Sequence, residues 1–169
     1  MRPHRLTIIL GLLGAVAGTN AADAAPGVAQ VSATLVKPLT LVWIQDLDLG
    51  SVLLGPGSWS GATVTISQTG VLSCTNANVT CTGAAQPAKY TATGTNNQIV
   101  RVTAPNVTLT NQSDSTKTLT LVVDSPTTVA IPNSGQKGVD FAIGGAITVN
   151  STTSAGTYSG TFNVTVDYN

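Results

Sequence analysis

The feature that most constrains the fold of this chain is an alternation of apolar and polar residues with a period of two. It is most regular between Tyr158 and Tyr168, where apolar residues or glycine occupy one face and the other face carries Ser159, Thr161, Asn163, Thr165 and Asp167. Successive side chains of a β-strand point to opposite faces of the sheet. The pattern therefore predicts a strand that runs to the penultimate residue, and such a strand needs a neighbour from this chain or from another molecule.

Shorter segments of the same character recur about every ten residues, which is typical of an antiparallel sandwich. They are residues 31–35, 39–44, 62–67, 90–93, 99–102, 107–110, 118–123, 129–131, 139–143 and 146–149. Asn, Gly, Pro or Ser residues, which favour turns, bound each segment. No stretch keeps the i, i+3, i+4, i+7 spacing of an amphipathic helix. We therefore predict an all-β antiparallel sandwich in a single domain, residues 25–169.

The first 24 residues have the layout of a secretory signal peptide. Arg2, His4 and Arg5 precede an apolar run from Leu6 to Ala17, and small residues follow. The run is shorter than the roughly 20 residues of a membrane span. We predict cleavage after Ala24 and export to the periplasm, the cell surface or the extracellular space, with no permanent membrane span.

The charge content excludes several classes of function. The chain has seven Lys+Arg, seven acidic residues that are all Asp, and one histidine, His4, which lies in the predicted signal peptide. Without a basic stripe, nucleic-acid binding is not expected. Without an imidazole in the mature chain, histidine triads and histidine-ligated metals are not expected either. We predict no enzyme, no cofactor and no metal site.

Cys74 and Cys81 are the only cysteines. Export to an oxidising compartment makes a disulfide the expected state of the pair. The chain around them is predicted to be loop-like, so the bond would pin a loop or the end of a hairpin.

Two aspartates and two tryptophans are further candidates for a binding site. Asp46 and Asp48 alternate with leucines and are predicted to share one strand face, but two carboxylates alone make a poor calcium site, so solvent-facing positions are expected. Trp43 and Trp59 are predicted to be buried anchors, and each would offer a sugar-stacking ring if it were exposed.

Two parts of the chain resemble known proteins. Residues 33–40 (ATLVKPLT) with 45–50 (QDLDLG), and the ending 156–168 (GTYSGTFNVTVDY), resemble a family of exported bacterial proteins defined only as a domain of unknown function. The ending is more distantly similar to spore-coat-U-like proteins and chaperone–usher pilus subunits, in which the last strand often closes with a penultimate Tyr, as at Tyr168. The resemblance implies an immunoglobulin-like β-sandwich.

In pilus subunits the domain lacks one strand, and an N-terminal extension of the next subunit fills the groove. The resemblance thus implies a strand-exchange face, which we assign to Val31, Ala33, Leu35, Phe162, Val164, Val166 and Tyr168. The implied partners are further copies, other subunits of a surface structure or a periplasmic chaperone. The alternative is that residues 28–36 form the domain's own edge strand.

The sequence is compatible with two functions. The first is a non-enzymatic structural or surface subunit that assembles through strand edges. The second is a self-contained module that binds carbohydrate or another surface polymer through loops 55–61 and 74–81. Five Asn-x-Ser/Thr sequons are predicted to be solvent-facing polar positions on strands of a bacterial-type protein: Asn78, Asn106, Asn111, Asn150 and Asn163.

Overall fold

The computed structural model describes residues 27–133 and 137–169 and contains only β-strands as regular elements in those ranges. The strands are β1 (Thr40–Gln45), β2 (Ser51–Leu54), β3 (Ala62–Ile66), β4 (Leu72–Cys74), β5 (Val79–Thr82), β6 (Ala88–Thr93), β7 (Ile99–Thr103), β8 (Val107–Asn111), β9 (Thr118–Asp124), β10 (Thr128–Ala130), β11 (Val139–Val149), β12 (Tyr158–Ser159) and β13 (Thr165–Tyr168). The predicted signal peptide lies outside the described residues. Within them, no helix is long and apolar enough to cross a membrane.

The strands form antiparallel sheets, as predicted. The largest sheet has the order β1-β6-β11-β9-β8-β12, with β3 also paired to β11 and β4 paired to β3. A second sheet has the order β10-β7-β13, and β2 and β5 form a two-stranded ribbon. Every strand pair is antiparallel. The all-β sandwich predicted from the alternation is confirmed.

Strand β11 connects the parts of the largest sheet. Its first half, Val139–Ile143, pairs with β6, while its second half pairs with β9 and β3. The prediction of two separate segments here was wrong, because the chain continues through Gly144 and Gly145 as one strand. A Cβ at Gly144 would overlap the carbonyl oxygen of Ile66, so glycine allows β3 to approach closely at this point.

The core consists of two neighbouring clusters. The first is formed by Ala62, Val64, Val79, Leu121, Ile147 and Val149, and the second by Ala88, Ala92, Val102, Phe141 and Ile143. Leu47, Val123 and Phe162 pack against both clusters. In β3 the buried residues alternate with the threonines at 63 and 65, as a half-buried strand requires.

The C-terminal segment is two strands instead of the single strand predicted. Tyr158 and Ser159 pair with β8, whereas Thr165–Tyr168 pair with β7 in the other sheet. The intervening residues 160–164 belong to no strand. A Cβ at Gly160 would lie 2.8 Å from the carbonyl oxygen of Thr108. The chain thus leaves β8 at a glycine and crosses to the second sheet.

The N-terminal residues 27–39 contain no strand. The side chains of Val31 and Leu35 are 95% and 86% exposed. Residues 31–35 therefore have the apolar–polar alternation of a strand but pair with no strand in the described part of the chain. Both interpretations of the segment, donor strand and own edge strand, remain predictions.

Candidate functional site

A long groove of about 1120 Å³ opens on the first core cluster. One wall is formed by residues 46–55, which include β2, and the other by residues 153–162, which include β12. The floor is apolar and is contributed by β8, β9 and β11, through Leu109, Leu119, Leu121, Ile147 and Val149. The groove exceeds the about 300–1,000 Å³ typical of small-molecule pockets. Its volume and its lining by two strands with unpaired edges suit an additional segment of chain.

Both walls carry a strand with only one hydrogen-bonded neighbour among the described strands. β2 pairs with β5 alone, and β12 pairs with β8 alone. An edge strand presents backbone N–H and C=O groups that still need partners. Since both strands line the groove, a further strand placed there meets an apolar floor and two strand edges.

The floor is incompletely covered. Leu109 and Leu119 are only half-buried although they pack against the first core cluster. On the wall, Leu47, Leu49, Val52 and Leu54 are half-buried in the same way. Apolar area left open to water is unfavourable by roughly 25 cal/mol per Å². The groove therefore has a driving force to take up apolar side chains.

The disulfide holds the β2 wall against the sheet. Cys74 ends β4 and Cys81 lies in β5, with a Cα–Cα distance of 6.3 Å. Cys81 is directly opposite Val52 of β2. The predicted bond is present, but the expected loop was wrong, because both cysteines lie in strands. The bond ties the β2–β5 ribbon to β4 and thus to β3 and β11.

The opposite wall is held by Asn111, which is 2% exposed. Its Nδ2 donates to the carbonyl oxygen of Ala155 at 3.1 Å, and its Oδ1 accepts from the backbone N–H groups of Ser113 at 2.9 Å and Asp114 at 3.3 Å. Gly156 has φ +144°, and a Cβ there would collide with the Asn111 amide. The prediction of a solvent-facing side chain at 111 was wrong, because a buried amide must satisfy its donors and acceptors within the protein.

The other four sequon residues, Asn78, Asn106, Asn150 and Asn163, are exposed, as predicted, but the prediction that they lie on strands was wrong, since all four lie in turns or connections.

Trp59 anchors the end of the groove that is formed by Gly55 and Ser151. Its backbone N–H donates to Ser151 Oγ at 3.2 Å, and its indole Nε1 donates to the carbonyl oxygen of Gly55 at 3.2 Å. The half-buried ring packs against the first core cluster. The predicted anchoring role is confirmed for Trp59.

Trp43 differs from Trp59 and contradicts the prediction of burial. Its side chain is 58% exposed, and its Nε1 donates to Asp46 Oδ1 at 3.2 Å. Trp43 lies directly opposite Tyr90 on β6, and both line the groove. Burial, with the Asp46 carboxylate as the second cause, raises the pKa of the Tyr90 phenol. This end of the groove therefore combines an exposed indole, a protonated phenol and a carboxylate.

Asp46 and Asp48 are solvent-exposed, as predicted. Asp48 Oδ1 accepts a hydrogen bond from the backbone N–H of Gly50 at 2.8 Å, which shapes the bend before β2. Within residues 27–133 and 137–169 there is no cluster of three or more His, Cys, Asp or Glu side chains that would hold a metal ion.

The predicted strand-exchange residues of the sandwich itself are partly buried. Phe162 lines the groove, whereas Val164 and Val166 pack in the second core cluster of the same molecule. Val31 and Leu35 are the exposed members of the set, and Ala33 between them is exposed too. The wall at 46–55 was not predicted from the sequence. The alternation of Leu47 and Leu49 with two aspartates is the sequence pattern that indicates it.

Tyr168 fixes the point at which the N-terminal segment joins the sandwich. Its hydroxyl donates to the carbonyl oxygen of Lys37 at 2.7 Å and accepts from the backbone N–H of Thr95 at 2.8 Å. The backbone N–H of Lys37 in turn donates to Thr95 Oγ1 at 2.6 Å. The penultimate residue thus holds the chain in place directly after residues 27–36.

Comparison with known proteins gives one match. A family profile described as a domain of unknown function matches residues 39–168. No curated protein and no solved structure matches the chain.

Proposed function

The chain belongs to the DUF4402 family of domains of unknown function, and from this premise we propose that it is a non-enzymatic, exported subunit of a surface structure. Copies assemble when residues 27–36 of one copy enter the groove of the next as an additional strand. A periplasmic chaperone that lends a strand before assembly would use the same groove.

The observation that carries this proposal is the coexistence of an unfilled groove and an unpaired apolar segment. The groove has an apolar floor between two strand edges. The segment alternates Val31, Ala33 and Leu35 with polar residues and exposes all three. Strand addition to a sheet edge uses backbone hydrogen bonds for affinity and alternate side chains for specificity.

The energies gained on strand addition are of the same order as the cost of association. Full burial of a Val or Leu side chain contributes about 1.5–3 kcal/mol, so Val31 and Leu35 together contribute about 3–6 kcal/mol. Each new backbone hydrogen bond adds about 1 kcal/mol. These gains oppose an association cost of about 4–15 kcal/mol. The apolar side chains therefore decide whether the copies associate.

The disulfide supports the exported location, because such bonds persist in oxidising compartments. The bond also holds the β2 wall of the groove to the main sheet. An oxidising compartment therefore preserves the bond that keeps this wall of the groove in place.

The test is the solution mass of the protein that begins at Ala25, measured by light scattering after size-exclusion chromatography. The wild-type protein is expected to form dimers or larger assemblies. The double variant Val31→Ser/Leu35→Ser is expected to stay monomeric with an unchanged thermal melt, because both side chains are exposed.

The matched control is Val122→Ser. Val122 is 53% exposed on β9, outside the groove, so its replacement removes exposed apolar surface elsewhere on the sandwich without affecting assembly. A wild-type protein that stays monomeric at all concentrations would refute the proposal. So would a double variant that assembles as well as the wild type.

The other function predicted from the sequence, a saccharide-binding module with Trp59 as the stacking ring, gains no support from the position of that ring. Its indole N–H is engaged by Gly55, and its face packs on the core. A glycan array with the monomeric Val31→Ser/Leu35→Ser variant tests this alternative directly.

A further inference from the structure

One end of the groove differs in chemistry from the rest. This end lies next to the second core cluster, because Leu47 and Phe162 line it and pack against both clusters. Trp43, Asp46 and Tyr90 line it. The hydrogen bond from the Trp43 indole engages one oxygen of Asp46, which leaves the other oxygen and most of the ring exposed.

The charge of the groove has one sign. Asp46 and Asp48 are the only charged residues that line it in the described part of the chain, and both are exposed. A carboxylate beside an exposed indole attracts a cation, through the carboxylate charge and through the quadrupole of the ring. The side chain that this end of the groove accepts is therefore basic.

The N-terminal segment supplies a basic residue at a matching place. Lys37 directly follows residues 27–36 and is the only Lys or Arg between residues 6 and 88. Its backbone is held by Thr95 and Tyr168, while the residue as a whole is exposed. The backbone position is thus fixed and the ammonium is free to contact another molecule.

We propose that Lys37 of a second copy binds between the Trp43 ring and the Asp46 carboxylate, and that this contact sets the direction in which residues 31–36 lie in the groove. The inference rests on the proposed function. Lys37 is at the C-terminal end of the donor segment, so the segment enters with that end at Asp46 and runs antiparallel to the wall 46–55.

The register follows from chain length. Val31 lies six residues before Lys37, and Val52 lies six residues after Asp46. In extended chain the donor stretch spans about 20 Å, whereas the wall bends at Asp48 and Gly50, where Gly50 has φ +71°, and is shorter than extended chain. Val31 of the second copy therefore lies beside the free edge of β2, close to Leu53.

Charge exchange tests the contact in the full mature protein. Lys37→Glu and Asp46→Lys are each expected to weaken assembly about tenfold, as the loss of a cation–π contact together with an ion pair implies. The double variant Lys37→Glu/Asp46→Lys restores the ion pair with reversed signs but not the cation–π contact, and is expected to recover part of the affinity. The matched control is Lys117→Glu/Asp46→Lys, which has the same net charge and is expected to remain weak.

Thermal melts and the neutral variant Lys37→Gln separate folding from assembly. All variants are expected to melt near the wild-type temperature, since both side chains are exposed. If a charge-reversed variant misfolds, Lys37→Gln, which keeps the size of the side chain, is still expected to weaken assembly several-fold. An unchanged affinity for Lys37→Gln would overturn the contact.

The direction of the strand is tested by engineered cysteines. A mixture of the Val31→Cys and Leu53→Cys proteins is expected to form a disulfide between copies, whereas a mixture of Val36→Cys and Leu53→Cys is not. The reverse result would overturn the antiparallel direction. Assembly that is insensitive to the charge variants refutes this inference but leaves strand exchange standing, whereas a monomeric wild type refutes both.

Discussion

The buried side chain of Asn111 provides the sharpest test of how the groove is built. Replacement by alanine removes three hydrogen bonds, to Ala155, Ser113 and Asp114, from a side chain that is 2% exposed. It also leaves an empty space beside Gly156, whose α-carbon packs against the amide. The wall at 153–162 then loses one of its links to the end of β8, while the backbone pairing of β12 with β8 remains.

The expected cost is about 2–3 kcal/mol. Each hydrogen bond contributes about 1 kcal/mol net. Because Ser113, Asp114 and Ala155 are themselves exposed, water reaches their backbone groups after the substitution, and the larger penalty for a buried unsatisfied group does not apply. A domain of this size loses about 3–5 °C of melting temperature per kcal/mol, so we expect Tm to fall by about 10 °C.

The measurement is thermal and urea unfolding of Asn111→Ala beside Asn163→Ala. Asn163 is also a sequon asparagine but is exposed, so its replacement is expected to change stability by less than about 0.5 kcal/mol. If the two variants unfold within 1 °C of each other, the amide of Asn111 does not hold the wall, and our account of this side of the groove is wrong.

Three further predictions concern single groups. Tyr168→Phe removes the hydroxyl that bridges Lys37 and Thr95 and is expected to cost about 1–2 kcal/mol in denaturant unfolding; equal midpoints for variant and wild type would show that the bridge is not stabilising. The raised pKa of Tyr90 favours the neutral phenol in the folded state, so its contribution is complete below the unfolded pKa of about 10 and is lost as pH rises through the higher folded pKa. Tyr90→Phe is therefore expected to flatten the loss of stability above pH 10, and an unchanged alkaline profile would contradict the assignment. Reduction of Cys74–Cys81 is expected to cost about 2.5 kcal/mol, measured as the shift of the unfolding midpoint with reductant, whereas an unshifted midpoint would mean that the ribbon needs no covalent tie.

The strands could be predicted from the sequence where one face is buried and the other is solvated. In β3 the alternation of apolar residues with threonine matches the more and the less buried positions, and β7 and β9 show the same alternation of burial although Ile99 and Val122 occupy exposed positions. Period-two patterns fail where a strand changes partner. Alternation continues through residues 160–164, yet the chain there crosses between sheets and pairs with neither.

Glycines were the least predictable positions. Gly144 and Gly145 are turn-like in sequence but lie inside β11, since the close approach of β3 and β9 leaves no room for side chains. Gly160 occurs in a regular alternating segment but marks its end, beside the backbone of β8. In each case the neighbour that decides the outcome is distant in the sequence.

The sequence by itself determined the fold class, the cysteine pair and the apolar alternation of residues 31–35, because each depends on residue type and local spacing. The tertiary structure decided the groove, since its walls at 46–55 and 153–162 and its floor on β8, β9 and β11 come together only through pairing of distant strands. It also decided the burial of Asn111 and the exposure of Trp43. Whether a side chain meets the core or the solvent depends on what the rest of the chain places beside it, and local pattern does not contain that information.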